Sequence, residues 1–333
     1  MIISRTPFRI SFFGGGTDYP VWYKKQKGAV IATSINKYCY ITCRYLPPFF
    51  KHKHRIVYRN VEYPHETSEI EHPSVRESLD FMNIDRGVEI HYDGDLPART
   101  GLGTSSSFTV GLLNVLYALK GKMISKRQLA LNAIHMEQDV LKENVGSQDQ
   151  ITAAFGGFNK IEFEGEQEFR IQPVTISKKR YQLLQDHLML FFTGFSRTAS
   201  DIAMEQIKKT PERKKELGKM AEMVDEAIEI LNKETSDLSD FGRLLHNSWM
   251  IKRKLTNKIS TPAIDKIYND ALKAGATGGK ILGAGGGGFI LFFVEPKKQQ
   301  RVKEKMSNLL HVPFQFDNVG SQIIYYSPGE EEI

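Results

Sequence analysis

Apolar positions along this chain follow helical spacing in some stretches and form short continuous runs in others, so both kinds of element are predicted. Phe108, Leu112, Val115, Leu116 and Leu119 recur at helical spacing and predict a buried helix over 105–119, with Gly121 placed to end it. Leu129, Ala133, Met136 and Val140 form the stripe of a second helix over 126–143. Strand-like runs fall at 29–35, 38–45, 88–92 and 157–163. After about residue 184 the pattern restarts with a strongly apolar strand at 187–193. Helices over 200–208, 213–233, 241–255 and 260–274 come next, then a buried strand at 289–294, a helix over 299–309 and a closing strand at 322–327. Strands and helices alternate irregularly, which on pattern alone implies a mixed α and β protein.

Composition narrows the class. The 333 residues are 41% hydrophobic and 25% charged, an ordinary soluble balance with enough apolar surface for a sizeable core. No apolar run approaches a bilayer span, and Met1-Ile2-Ile3-Ser4-Arg5 is not a basic leader followed by a long hydrophobic stretch, so a cytoplasmic location is expected. Cys39 and Cys43 share one face of a predicted strand, about 13 Å apart at roughly 3.3 Å per residue, too far for a disulfide. The net charge of +6 is scattered: 51–55 reads as a solvated loop, and 208–219 mixes acids with bases. Anionic small molecules account for this bias better than nucleic acid does. His52, His54, His65 and His72 match no closed zinc spacing, so no structural metal is expected.

The stretch Leu96-Pro97-Ala98-Arg99-Thr100-Gly101-Leu102-Gly103-Thr104-Ser105-Ser106-Ser107 runs glycines straight into the helix over 105–119. Gly101 and Gly103 allow a sharp turn and close approach to a ligand. Unpaired N–H groups of the helix's first turn, with its dipole, aim positive charge at an anion. An isolated Gly-x-Gly-Ser/Thr would be satisfied by an ordinary capped helix start. The P-loop spacing is absent, since no lysine follows Gly103. Near the other end, Gly283-x-Gly285-x-x-Gly288 matches a dinucleotide fingerprint, but a predicted helix precedes it and a strand follows, the inverse of the required order. A glycine-rich helix-to-strand turn instead lets backbone pack closely on a neighbouring loop.

The first of these loops resembles the second motif of the GHMP kinases (galactokinase, homoserine kinase, mevalonate kinase, phosphomevalonate kinase), a Pro-x-x-x-Gly-Leu-Gly-Ser-Ser segment that wraps ATP phosphates. Two further motifs stand in family order. Arg5-Thr6-Pro7-Phe8-Arg9-Ile10-Ser11-Phe12-Phe13-Gly14-Gly15-Gly16-Thr17-Asp18-Tyr19-Pro20 resembles the sugar-side first motif, and Lys280-Ile281-Leu282-Gly283-Ala284-Gly285-Gly286-Gly287-Gly288-Phe289 resembles the third. The resemblance spans nearly the whole chain. It implies an α+β, two-domain fold: an N-terminal domain like ribosomal protein S5 domain 2 over 1–184, a ferredoxin-like C-terminal domain over 185–333, and an active site between them.

Carried over residue by residue, the resemblance assigns ATP contacts to Gly101, Leu102, Gly103, Thr104, Ser105 and Ser106, with Gly285 and Gly286 supporting them. It makes Ser105 and Glu137, the latter in Ala133-Ile134-His135-Met136-Glu137, the Mg²⁺ ligands, oxygen donors that suit a hard ion. Asp149, in Gly146-Ser147-Gln148-Asp149-Gln150, resembles the aspartate that accepts the proton of the sugar hydroxyl, and Arg9 the arginine beside it that offsets transition-state charge. Asp18, with Gly16 and Thr17, is the expected ligand of sugar hydroxyls.

Galactokinases carry Gly-Glu-His-Thr-Asp where this chain has Gly14-Gly15-Gly16-Thr17-Asp18, which argues against galactose. That form, together with Phe192-Thr193-Gly194-Phe195-Ser196-Arg197-Thr198-Ala199-Ser200, resembles the branch containing D-glycero-D-manno-heptose 7-phosphate kinases and L-fucokinase domains; familiar fucokinases are longer chains. The branch implies a kinase acting on the anomeric hydroxyl of D-glycero-D-manno-heptose 7-phosphate to give the 1,7-bisphosphate, feeding nucleotide-activated heptose and surface polysaccharide. Arg197 is the first candidate for the substrate phosphate, ahead of Lys24 and Lys37. Expected partners are ATP and a sugar phosphate, with neither nucleic acid nor membrane, for a monomer or homodimer. The alternatives are a fucokinase-like or other free-sugar 1-kinase, and a non-catalytic GHMP-fold sensor. The set Ser105, Glu137, Asp149 and Arg9 argues against the sensor.

Overall fold

A computed structural model describes residues 1–165, 168–194, 199–234 and 237–328. The larger sheet has the strand order Gln322–Tyr326, Ile2–Phe13, Gly28–Tyr45, Val88–Gly94, Arg55–Val57, Val61–Glu62. Gly28–Tyr45 also pairs with Phe158–Glu164, which carries Glu168–Pro173, and with the short strand Phe316–Asp317. Ile2–Phe13 is flanked on both edges and buried along most of its length, with burial alternating only over Ile2–Arg5. The runs at 29–35 and 38–45 are one strand. Between Pro7 opposite Tyr38 and Phe8 opposite Ile35 the register slips, and Asn36 and Lys37 bulge out of the ladder. Asn36 is held there by Gln315, donating its N–H at 2.9 Å and accepting at Oδ1 at 2.7 Å.

Helix Thr104–Leu119 packs on the two central strands, burying Leu112, Val115 and Leu116. Gly111 permits that approach, since a Cβ there would stand 2.8 Å from the Thr6 hydroxyl. Gly121, at φ 63°, stands just past the helix end as expected. The helix predicted over 126–143 is broken: Lys126–His135 is α-helical and Met136–Val140 is a π turn, closed by Leu141 N–H donating to Met136 O at 2.9 Å. The wider turn changes the direction of the side chains it carries, Glu137 among them.

The second, antiparallel sheet has the order Leu310–His311, Leu188–Phe192, Phe289–Val294, Ala276–Ile281. Its last strand corrects the expected helix-to-strand turn: the glycine run joins two paired strands. Ala276-Thr277-Gly278-Gly279 carries no apolar signal because helix Ser239–Lys252 lies against it, and a Cβ on Gly278 would meet Gly242 O at 2.0 Å. The closing strand Gln322–Tyr326, grouped by sequence with 185–333, returns to pair with Ile2–Phe13 in the larger sheet. Each hydrophobic cluster draws on both halves: Phe12 and Leu102 meet Phe241 and Phe293 in one, and Val30 and Leu113 join Trp249 and Phe292 in the other. Cys39 and Cys43 are buried free thiols. Among the described residues no helix is long and apolar enough to cross a membrane.

Candidate active site

The phosphate loop is held from beneath by the third glycine motif. Gly101 (φ 87°) and Gly103 (φ 69°) sit in the left-handed region, and Gly103 is the N-cap of helix Thr104–Leu119. Within that helix Ser107 N–H is the first to find a partner, Gly103 O at 2.9 Å, so the helix gives none to the N–H groups of Thr104, Ser105 and Ser106. A Cβ on Gly283 would fall 2.6 Å from Gly101 Cα, and one on Gly288 2.2 Å from Thr100 O. The glycines are therefore required by contact between the two loops. Phe289 N–H donates to Thr100 O at 3.0 Å and completes the junction.

Arg9 joins this loop to the opposite wall. Its Nε and Nη2 donate to the two oxygens of Asp149 at 2.7 and 2.8 Å, its Nη1 donates to Gly101 O at 2.6 Å, and the side chain is 4% exposed. Asp149 stands in the first turn of helix Gln148–Phe155. Next to it, Asp18 accepts from Gly16 N–H at 2.8 Å and Gln148 Nε2 at 2.9 Å. Burial pushes the Asp18 carboxyl up, the neighbouring Asp149 charge adds to the effect, and the Gly16 and Gln148 bonds oppose it. Gly146 makes room for Asp18, since a Cβ there would overlap Asp18 Oδ2 at 1.9 Å.

Glu137 lies behind the loop, fully buried, accepting at Oε2 from Ser106 Oγ at 2.8 Å and from Gln150 Nε2. Its Oε1 is buried without a partner, and burial pushes the carboxyl up to about 7 against the hydrogen bonds from Ser106 and Gln150. Ser105, the residue before Ser106, is exposed in the cavity wall. An orphaned carboxylate oxygen next to a row of hydroxyls fits a hard divalent cation that keeps waters and phosphate oxygens in its shell.

Except for Glu137, which stays buried behind the wall, these groups line one cavity of about 280 Å³. It includes Arg9, Asp18, Asp149, Gly16, Gly101, Gly103, Thr104, Ser105 and Ser106 of the expected set. Other expected residues stand elsewhere. Leu102 is a core side chain whose carbonyl accepts from Arg9 N–H at 3.0 Å. Thr17 spends its hydroxyl on Gly14 O (2.8 Å) and Ala29 O (3.0 Å), closing its own turn. Gly285 and Gly286 are fitted against Ile259, and Gly283 and Ala284 reach the cavity instead. Lys24 and Lys37 do not line it, and Arg197 lies outside the described residues. Sequence reasoning missed Ser11, Gln148, Gln206, Lys252 and Lys280, all in the wall. Ser11, Gln148 and Lys280 lie within the motif segments, whereas Gln206 and Lys252 sit on ordinary amphipathic helices and carry no signal. Ser11 Oγ, Gln148 Oε1 and Gln206 Nε2 are buried polar atoms without partners, a lining suited to a hydroxyl-rich ligand.

Relatives share this architecture. The model of the GHMP kinases N terminal domain matches residues 72–157, and that of the GHMP kinases C terminal region matches 202–312. The D-glycero-alpha-D-manno-heptose 7-phosphate kinase of Campylobacter jejuni is 30% identical over 90% of this chain and 91% of its own. A crystal structure of a putative sugar kinase from Campylobacter jejuni superposes with a TM-score of 0.72 at 27% identity, covering 97% of this chain and 98% of that one. A D-glycero-D-manno-heptose 1-phosphate kinase from Bacteroides thetaiotaomicron gives 0.77 at 24% identity over 98% and 99%, a likeness of fold. With three glycine motifs packed around one cavity and a relative matched nearly end to end, this chain belongs to the GHMP kinase family.

Proposed function

We propose that this chain transfers the γ-phosphoryl group of Mg-ATP to the anomeric hydroxyl of D-glycero-D-manno-heptose 7-phosphate, giving the 1,7-bisphosphate. The observation that carries the reading is the Arg9 bridge, which fixes Asp149 by two hydrogen bonds and the phosphate loop by a third. Asp149 keeps lone pairs beyond the two that Arg9 occupies, and takes the hydroxyl proton. The anomeric oxygen then bonds to the γ-phosphorus as the bond from that phosphorus to the β,γ-bridging oxygen breaks, and ADP leaves. Thr104, Ser105 and Ser106 offer N–H groups to the phosphates, and Arg9 offsets charge that develops between loop and sugar. Ser105 and Glu137 would hold Mg²⁺, which neutralises phosphate charge when bound. Asp18, with the orphaned atoms of Ser11, Gln148 and Gln206, orients the sugar.

Support for heptose over other sugars comes from the Campylobacter jejuni relative and from the glycine triplet before Thr17. An Mg-ATP coupled ADP-release assay across heptose 7-phosphate, unphosphorylated heptose, L-fucose, D-mannose and D-galactose tests it. Preference for heptose 7-phosphate is the expected result. Preference for a free sugar keeps the kinase and overturns the substrate, and no turnover with any of them, despite tight ATP binding, favours a sensor.

A further inference from the structure

Three cations are buried in the cavity wall, and only one has an acidic partner. Arg9 is matched by Asp149. Lys252, 4% exposed at the end of helix Ser239–Lys252, donates to Gly283 O at 2.5 Å. Lys280, 2% exposed, donates to Ser11 O at 2.9 Å and Phe12 O at 2.8 Å. Neither lysine has a carboxylate within ion-pairing distance among the described residues, and each ammonium keeps at least one donor beyond those bonds. Burial pulls both lysines down, Lys252 to about 8. Lys252, buried in the cavity wall with no carboxylate on it and with donors to spare, is placed to receive an anion that arrives with the ligand.

Location identifies that anion. Gly283, whose carbonyl accepts from Lys252, is the residue packed on Gly101 of the phosphate loop. Lys252 also feels the charges of Arg9, Asp18 and Asp149. It therefore stands where the phosphate loop, the base and the sugar ligand converge, whereas Lys280 is committed to the backbone of Ser11 and Phe12. We propose that Lys252 is a catalytic residue that binds the phosphoryl group in transit between nucleotide and sugar, and that Lys280 positions the Ser11–Phe12 backbone beside it. This rests on the kinase reading above. Lys252 keeps its proton throughout. Its ammonium stabilises the equatorial oxygens of the transferring group, and the hydroxyl proton still goes to Asp149.

Calorimetric titration with Mg-ADP and with its γ-phosphate-bearing analogue Mg-AMPPNP, on wild type, Lys252→Met and Lys252→Arg, tests the assignment. Lys252→Met is expected to bind ADP as wild type does and to lose about tenfold of its preference for AMPPNP. Its kcat is expected to fall about 10²- to 10³-fold with KM for the sugar unchanged, and Lys252→Arg to recover part of both losses. A purely structural lysine would lower the melting temperature of the unliganded protein when replaced. Removal of an unpaired buried charge leaves that temperature unchanged or raises it. Nucleotide binding with an unaltered AMPPNP preference and wild-type kcat in Lys252→Met overturns the assignment alone. Failure of the wild type to bind either nucleotide overturns both the assignment and the kinase reading beneath it.

Discussion

At the scale of single residues, the site depends on which atoms are spoken for. Asp149 holds Arg9 through both oxygens and is the proton acceptor of the proposed reaction, so Asp149→Asn should lower kcat about 10²- to 10⁴-fold. Nucleotide affinity and the circular dichroism spectrum should stay unchanged, and wild-type turnover would remove the base. Gly146→Ala is a test on the sugar side, because the new Cβ would overlap Asp18 Oδ2. We expect KM for the sugar to rise with ATP affinity intact, a split that steady-state kinetics reads directly. Much of this was legible in the sequence. Arg9, Asp18, Asp149 and the phosphate-loop glycines fall in motifs whose spacing has a mechanical reason. Lys252 and Gln206 were not legible, since nothing in a helical stripe separates a polar residue facing solvent from one facing a cavity. Thr17 shows the opposite failure: it has a motif position, and its hydroxyl is consumed by its own turn.

At the scale of elements, the third glycine motif acts through the loop it supports. Gly288→Ala would place a Cβ 2.2 Å from Thr100 O at a φ of 81°, and should cost about 1–3 kcal/mol of stability while raising KM for ATP. Chemical denaturation and kinetics on the same preparation check both effects. A second element-level prediction concerns His54, wholly buried, with Nδ1 accepting from Val88 N–H at 3.3 Å and Nε2 beside Thr67 Oγ1 at 3.3 Å. Burial, reinforced by Lys53, pulls it from its ordinary value of 6.5 to about 4. Between these values the unfolded chain takes up a proton that the folded one refuses, so stability falls as pH drops from 6.5 towards 4. Denaturation midpoints across that range should flatten in His54→Asn; an unchanged slope would contradict the role. The long amphipathic helices were readable because one face of each meets a core. The strand Ile2–Phe13 alternates only over Phe8–Phe12, inside a motif; the Asn36–Lys37 bulge stood as a gap between two strand-like runs; and the π turn that carries Glu137 leaves no mark on a hydrophobic stripe.

At the scale of the molecule, the two halves are interlocked. The closing strand pairs with the first, and each hydrophobic cluster takes residues from both sides of the break near residue 184. Sequence restarts report the order of elements, and they carry no information about a strand that crosses back. Unfolding followed by far-ultraviolet circular dichroism and by fluorescence of the buried Trp22 and Trp249 should therefore give coincident midpoints, and separated midpoints would mean independent units. The interlock also brings Lys252 and Lys280 of one half against Arg9, Asp18 and Asp149 of the other, so the cavity exists only in the assembled fold. The central claim, phosphoryl transfer to an anomeric hydroxyl in that cavity, is tested most directly by a ³¹P NMR spectrum of the protein with Mg-ATP and D-glycero-D-manno-heptose 7-phosphate. Loss of the γ-phosphate resonance and growth of a second sugar phosphate signal coupled to the anomeric proton are the predicted result. Unchanged ATP, or phosphate appearing only as the free ion, would contradict it.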